Sequence, residues 1–415
     1  MAAKNSLVKN KRFNPGQDWI WYAPNTTDAF GKPEIAAVTA SLKSGWLTLG
    51  KIAKQFEYRV AGLFGKKLGL FVNSGSSANL LALEIMKFPK GSEVITPACN
   101  FNTTVAPIVQ AGLVPVFIDV GLGTYTFDVA ALEKAISKKT VAVMAPHLIG
   151  NFIDLPKLHS FCKKYNLILI EDSCDTIGGS FHGKPTGCWS DITTTSFYAS
   201  HIITAGGAGG MLMLNNKVLR ERGRVFRDWG RGISLHDEKI RSRLATFAID
   251  GKPYDSAFVF VERGYNFRPT EMQAAFGLAQ LKRLPEFISH RRHNFIRLFK
   301  FFKQFEQYFI LPQEMPHTKT NWLAFPLTIR KSAPFQRNTL VRYLEDHKIQ
   351  TRPLFSGNIL KHPAYKNIKY RKIGRLENSQ YILEQSFLIG VHHGLTDKMI
   401  DYMFGVFSSF LKKFE

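Results

Sequence analysis

Seven short β-rich runs recur between Leu68 and Leu214: LGLFVN, SEVITPA, VPVFIDV, TVAVMAP, LILIED, DITTTSFY and GMLML. Helix-compatible stretches separate most of them. In SANLLALEIMKF, TTVAPIVQAG, DVAALEKAISK and LPKLHSFCKKYN the apolar residues return every three or four positions, the period of a helix that buries one face. This alternation predicts an α/β fold, a mainly parallel seven-stranded sheet covered by helices on both sides. Ligands of such sheets bind where strands hand over to the following loops, so the strand ends are where chemistry is sought.

The chain has 415 residues, more than one ordinary core takes, and about two domains are expected. Between about Asp228 and Asn266 the pattern loosens into an irregular excursion (DWGRGISLHDEK, DGKPYDS). The helical stretch from PTEMQAAFGLAQL onward then reads as a connector into a smaller C-terminal α+β domain. The expected division is an N-terminal arm over 1–45, a large domain over 46–284 and a small domain over 285–415, with the boundary at Pro285.

Fifty-five basic against 32 acidic residues give a net charge of +23, which fits nucleic acid, an anionic membrane or a negatively charged small substrate. The basic residues are scattered, with short clusters such as KNKR near Lys9, HRRH at His290 and KNIKYRK at Lys366, and no zinc-finger, RRM or basic-zipper pattern accompanies them. No nucleic-acid partner is expected; the surface attracts phosphate-bearing ligands. The start, MAAKNSLVKNKRF, lacks the apolar core of a signal peptide, and no run approaches the ~20 apolar residues of a membrane helix. A cytoplasmic protein without a membrane partner is expected. Cys99, Cys162, Cys174 and Cys188 form no CxxC, so reduced thiols are expected and neither a disulfide framework nor a metal site.

Four stretches carry candidate chemistry. In VNSGSSANLLAL a strand runs into Gly75 and Ser76 and then a helix, an arrangement that suits a phosphate or serves as an ordinary N-cap. LILIEDSCD ends an apolar strand in Glu171 and Asp172, where a buried carboxylate pairs with a cationic ring nitrogen or the pair simply marks an exposed strand end. Phe101, in PACNFNTT, either packs in the core or stacks on a planar ring. SFYASHIITAGGAGG holds one histidine, His201, structural or reactive. Other glycine motifs fail their tests: AGGAGGMLML lacks the G-x-G-x-x-G spacing, and GGSFHGKP has Pro185 where a phosphate loop needs Ser or Thr.

Together, SGSSANLLAL, PACNFNTT, IEDSCD, SFYASH and GYNFRPTEMQAAFGLAQL, in this order and spacing, resemble the pyridoxal-phosphate sugar aminotransferase family (DegT/DnrJ/EryC1/StrS). The likeness runs from WLTLGKIAKQFE at Trp46 to SFLIGVHHGLT ending at Thr396. It implies the type I aminotransferase fold, a cofactor-binding large domain and a homodimer with shared active sites. In that family the loop after the SF pair carries a lysine that holds the cofactor as an imine. His201 stands at the matching position, and no lysine occurs from Pro185 to Asn216. An imidazole cannot form that imine, so pyridoxal 5'-phosphate or its pyridoxamine form would be bound without a covalent link.

The same replacement marks a branch of nucleotide-sugar 3-dehydratases acting on CDP-4-keto-6-deoxyglucose or GDP-4-keto-6-deoxymannose, and FRDWGR, YDSAFVFVERGYNFRPTEMQAA and TRPLFSGNI resemble it. Carried over by position, the resemblance implies that Asp172 partners the pyridinium nitrogen and that Phe101 stacks on the ring. Gly75, Ser76 and Ser196 would hold the phosphate, and Asn266 would reach the phosphate of the neighbouring subunit. Asp175 falls near the ring hydroxyl, where the family often has His or Gln. His201 becomes the base: a reference pKa of about 6.5 suits proton removal near neutrality. Lysine, at ~10.4, would also capture the aldehyde and release the amine as a transaminase does.

The CDP-sugar enzyme of this branch also carries a [2Fe–2S] cluster, held by one cysteine after the IED motif and three after DWGR. Cys174 matches the first, but RGISLHDEKIRSR supplies none of the others, and thiolates are the ligands such clusters need. No iron–sulfur cluster is expected, Cys174 is read as packed, and glutamate is the expected amine donor. The expected activity is C3 dehydration of a nucleotide-diphosphate-linked 4-keto-6-deoxy hexose, for deoxysugar and lipopolysaccharide biosynthesis. One alternative is a nucleotide-sugar aminotransferase, whose lysine would be Lys184 or Lys217. A second is a catalytically silent binding protein using its basic surface. His392 and His393, in GVHHGL, lie either beside the substrate or at the surface.

Overall fold

A computed structural model describes residues 13–24, 29–232 and 247–414. The KNKR cluster, part of the N-terminal arm and most of RGISLHDEKIRSR lie outside the described residues.

Each of the seven predicted runs is a strand: β1 (Leu68–Val72), β2 (Glu93–Pro97), β3 (Val114–Ile118), β4 (Thr140–Pro146), β5 (Ile168–Asp172), β6 (Ile192–Ser196) and β7 (Gly210–Leu214). They order as β1-β7-β6-β5-β4-β2-β3, and only β7 runs antiparallel to its neighbours. An eighth short strand, Arg371–Lys372, extends the sheet beside β3 from the C-terminal part of the chain. Charge recruits it, with no apolar run to mark it in the sequence: Arg371 forks onto Glu93, Nε to Oε1 at 3.1 Å and Nη2 to Oε2 at 2.7 Å.

Successive side chains of a strand point to opposite faces, and both faces here are buried. Leu70, Val72, Ile170 and Leu212 join one apolar cluster; Ile95, Val116, Val143 and Leu169 join another. Helices α1 (Lys32–Lys43), α2 (Lys51–Leu63), α3 (Gly75–Glu84), α4 (Asn102–Gln110), α5 (Leu155–Lys164) and α6 (Lys217–Arg227) supply the covering layers together with α7 (Glu271–Lys303). DVAALEKAISK forms a 3-10 helix, Val129–Ala135, in place of the expected α-helix. Its start is capped by Asp128, and the chain must re-enter the sheet at Thr140, which leaves room for only two tight turns.

α7 opens on a reciprocal cap in which the Thr270 hydroxyl accepts from the Gln273 amide and the Gln273 side chain accepts from Thr270 N–H. It continues unbroken for 33 residues with Pro285 inside it, so the position expected to begin the small domain falls within a helix. Beyond α7, strands β8 (Phe309–Ile310), β9 (Phe325–Ile329), β10 (Arg352–Pro353) and β12 (Ser386–Ile389), with the eighth strand of the large sheet counted as β11, form a four-stranded antiparallel sheet in the order β8-β9-β12-β10. Helices α8 (Arg337–Asp346) and α9 (Glu377–Gln385) pack on it, and α10 (Asp397–Leu411) packs against α7 and α8. Among the described residues no helix is long and apolar enough to cross a membrane.

Candidate active site

A cleft of about 930 Å³ opens at the carboxyl ends of the parallel strands, where Ser74, Phe101, Pro146, Asp172 and Ser196 follow or end β1, β2, β4, β5 and β6. Gly75, Ser76, Phe101, Asp172, Asp175, Ser196 and His201, seven of the eight predicted site residues, line it.

α3 points its N-terminus into this cleft. Ser74 caps it by accepting from Ser77 N–H at 3.1 Å, leaving other first-turn donors free for an anion. A side chain at Gly75 would place its Cβ 2.6 Å from Cβ of Ser196. Glycine is therefore what lets the helix end approach the end of β6, so that Ser76 and Ser196 line one corner.

The strand period separates the two carboxylates of IEDSCD. Glu171 turns away and is fully buried, accepting from Ser173 Oγ at 2.5 Å, Ser190 Oγ at 2.9 Å and Thr193 Oγ1 at 3.1 Å beside His147 Nε2 at 3.2 Å. Burial alone would raise its pKa; the His147 imidazole and the hydroxyl donors prevail and bring it down to about 2. Asp172 turns to the cleft. Its Oδ2 accepts from Asn79 Nδ2 at 2.8 Å and Thr104 Oγ1 at 2.6 Å, while Oδ1 accepts from Cys174 N–H at a longer 3.3 Å. Neither carboxylate is an exposed strand end.

Phe101 precedes α4 with half of its surface exposed and meets Phe355 edge-on at 5.8 Å between centroids, which rules out plain core packing. Cys174 is half-buried on the cleft wall. Burial, reinforced by Asp172 and Asp175, pushes its thiol well above the ordinary range, so it stays neutral.

The glycine loop is anchored at both ends. Thr204 Oγ1 donates to Phe197 O at 2.9 Å and accepts from Gly207 N–H at 2.9 Å, and Gln273 of α7 holds Ala208 O at 3.2 Å. His201 hangs from this loop, its N–H bonded to Tyr198 O at 3.0 Å. Its Nδ1 faces Asp175 Oδ1 at 3.4 Å, and Asp175 Oδ2 accepts from Ile149 N–H at 3.0 Å.

Asn266 lies outside the cleft, exposed and bridged to Asp228 of the FRDWGR turn. Lys184 sits over the Trp189 ring and Lys217 opens α6; neither lines the cleft, and among the described residues no lysine does. His392 and His393 are both buried and line no part of it. His392 Nε2 pairs with Trp21 O at 3.0 Å, and His393 stacks on Phe287, so neither sequence reading of that pair holds. Among the described residues no group of three or more His, Cys, Asp or Glu is placed to hold a metal ion.

Several lining residues went unassigned from sequence. Asn79 carried a signal, a polar residue one helical turn after Gly75 within an apolar run. Tyr22, Thr104, Tyr198 and Arg352 carried none by spacing, though Arg352 and Phe355 fall in the TRPLFSGNI stretch.

A mainly parallel sheet of this order, with a helix N-terminus and a buried aspartate facing one another across its strand ends, defines the type I aminotransferase fold. The chain belongs to the DegT/DnrJ/EryC1/StrS aminotransferase family, whose profile matches residues 28–407. It is 39% identical over 391 residues, 91% of this chain and 84% of the relative, to a dTDP-4-dehydro-2,6-dideoxy-D-glucose 3-dehydratase of Saccharopolyspora spinosa. It is 37% identical to the lipopolysaccharide biosynthesis protein RfbH of Salmonella typhimurium, over 98% of this chain and 95% of the relative. Among solved structures, the E. coli GDP-4-keto-6-deoxy-D-mannose-3-dehydratase with bound hydrated PLP superposes with a TM-score of 0.83 at 30% identity, covering 93% of this chain and 98% of the other.

The cleft fits such a cofactor on its own terms. Asp172 Oδ1 keeps acceptor capacity for a ring N–H, the corner at Gly75 is one that a Cβ would fill, and the exposed face of Phe101 offers a flat apolar surface.

Proposed function

We propose that this protein removes the C3 hydroxyl of a nucleotide-diphosphate-linked 4-keto-6-deoxy hexose, with His201 as the base. The observation that carries this reading is the composition of the cleft: a histidine in the loop where the family carries its tethering lysine, and no lysine among the described lining residues. Gly75, Ser76 and Ser196 would hold the cofactor phosphate, Asp172 the ring nitrogen, Phe101 the ring face, and Asp175 the neighbourhood of the ring hydroxyl. Pyridoxamine phosphate, when bound, would supply an amine for the C4 ketone and an acidified methylene C–H whose electrons can expel the C3 hydroxyl. His201 moves the proton. With Nδ1 turned to Asp175, Nε2 is the nitrogen free to act.

Glutamate is the amine donor in this reading, and Cys174 is the sole cysteine among the described residues of the cleft wall. The protein works as a homodimer in which Asn266 of the partner subunit completes each phosphate site. Supporting this, Asn266 is exposed and outside its own chain's cleft, and Trp46, Leu47, Tyr58, Phe258 and Phe260 expose large apolar surfaces. In this reading the protein works in the cytoplasm.

The test is incubation with pyridoxal phosphate, glutamate and a nucleotide-linked 4-keto-6-deoxy hexose, followed by mass spectrometry of the sugar. Loss of the C3 oxygen is the expected result. Exchange of the C4 oxygen for an amine would mark an aminotransferase instead.

A further inference from the structure

Tyr22 lines the cleft from a segment that precedes the family match, which begins at residue 28. The chain reaches it through a strap laid over the small domain. Ile20 is 1% exposed and pairs in parallel with Ile349, its N–H donating to Lys348 O at 2.7 Å while its carbonyl accepts from Gln350 N–H at 2.9 Å. One residue on, Trp21 O meets His392 Nε2 at 3.0 Å. Gly394 N–H donates to His392 Nδ1 at 3.2 Å, so Nδ1 is the acceptor and Nε2 carries the proton that holds Trp21 O. Tyr22 N–H then donates to Gln350 Oε1 at 3.1 Å.

A Cβ at Gly390, just past β12, would lie 2.6 Å from Trp21 O and 3.2 Å from Tyr22 O, so glycine there is what lets the strap lie down. The first residues of a chain are ordered only where they are tied down, and these ties converge on the residue that enters the cleft. Gly75, Ser76, Phe101, Asp172 and Ser196, the residues assigned to the cofactor, belong to the large-domain wall. Tyr22 belongs to the small-domain wall with Leu323, Arg352, Pro353 and Leu388, and the Arg352 guanidinium stands 5.9 Å from its ring centroid. Burial first, and Asp175 second, push its phenol above the ordinary range, so it is a neutral O–H that can donate or accept. An aromatic face with a hydroxyl at its edge, set among leucines and beside a guanidinium, matches a pyranose ring. Such a ring packs its C–H face on the aromatic and offers oxygens to hydrogen bonds at its rim.

We propose that Tyr22 binds the hexose of the nucleotide sugar, carried to the cleft by the strap at 20–22, and that Gln350, Gly390 and His392 position it there. The phenol contacts the sugar ring, not the cofactor or the nucleotide. This inference rests on the reading of the cleft as a nucleotide-sugar site.

The experiment compares wild type with Tyr22→Phe, Tyr22→Leu and Gly390→Ala in the full-length protein. The probes are CDP-, GDP- and dTDP-linked 4-keto-6-deoxy hexoses as substrates and free CDP, GDP and dTDP as competitors. Tyr22→Phe is expected to raise KM for the sugar roughly threefold to tenfold, the loss of one neutral hydrogen bond, with kcat within about twofold of wild type. Tyr22→Leu, which also loses the ring, should raise KM further, and Gly390→Ala, which lifts the strap, should follow Tyr22→Leu. In both Tyr22 variants, pyridoxal phosphate affinity by absorbance titration and the inhibition constants of the free nucleotides should stay at wild-type values. An unchanged KM in both would overturn the proposal. So would an equal loss of nucleotide affinity, which puts the phenol against the nucleotide, or a parallel loss of cofactor, sugar and nucleotide affinity, which marks a structural role. If Gly390→Ala does not fold, the two Tyr22 variants carry the test. Failure of the underlying reading looks different: by calorimetry the wild type then binds none of the three sugars.

Discussion

Asn79 and Asp172, 93 residues apart in the chain, meet behind the cleft, where the Asn79 amide donates to Asp172 Oδ2 at 2.8 Å. The same Asn79 accepts from Thr194 Oγ1 at 2.5 Å, so α3, β5 and β6 are tied at one point and the Asp172 carboxylate cannot swing. Asn79→Leu removes a donor to a charged group, a loss of about 1.5–3 kcal/mol. Pyridoxal phosphate affinity should fall roughly tenfold to a hundredfold, read by absorbance titration. An unchanged dissociation constant would remove Asp172 from the cofactor site.

Gly75→Ala tests the close approach of α3 to β6. Its new Cβ would stand 2.6 Å from Cβ of Ser196, so one of two packed elements must move, at about 1–3 kcal/mol. Both a lower melting temperature and weaker phosphate binding are expected. Inorganic phosphate as a competitor of the cofactor should lose potency in the same variant.

The buried Glu171 predicts acid sensitivity. Its pKa lies at about 2 in the folded chain against an ordinary value of 4.5. A depressed carboxyl contributes stability that is fully present above the ordinary value and is lost as pH falls from there toward 2. The contribution is on the order of 3 kcal/mol. Urea melts of wild type and Glu171→Gln between pH 6 and about 3 should converge as pH drops, with the wild type losing its advantage. Parallel curves would contradict this.

The proposed sharing of active sites between subunits predicts complementation. A His201→Asn dimer and an Asn266→Ala dimer should each be poorly active. Dissociated and remixed, half the dimers are hybrids with one intact site, and about a quarter of full activity should return. Recovery of nothing would place Asn266 in its own chain's site or in none.

Most of the sheet was legible because each of its seven strands is a compact apolar run with turn residues at both ends, a signal contained in the strand itself. The eighth was not: Arg371–Lys372 has no apolar pattern and joins through Glu93, which no local window contains. The same division runs through the site. Asp172 and Ser196 sit at strand ends and His201 in the loop after one, all within motifs, whereas Thr104 reaches Asp172 only through folding. Period-two geometry decided between Glu171 and Asp172, since adjacent strand residues must face opposite ways. His392 and His393 misled because adjacent histidines carry no record of burial, and both are absorbed by packing against Trp21 and Phe287.

His201 is tested from both sides by substitution. His201→Asn should abolish sugar turnover while cofactor affinity stays within about threefold of wild type, since only one neutral contact is lost. His201→Lys should acquire a covalent, borohydride-reducible link to pyridoxal phosphate, because the position is that of the family's tether. Turnover retained in the first variant, or no link in the second, would contradict the assignment of role and of position respectively.

If the cleft holds its cofactor without a tether, borohydride finds no imine to reduce. Purified protein is loaded with pyridoxal phosphate, treated with borohydride and weighed intact. Cofactor bound by absorbance and a chain of unmodified mass are expected. A chain heavier by one reduced cofactor would reveal a working lysine and contradict it.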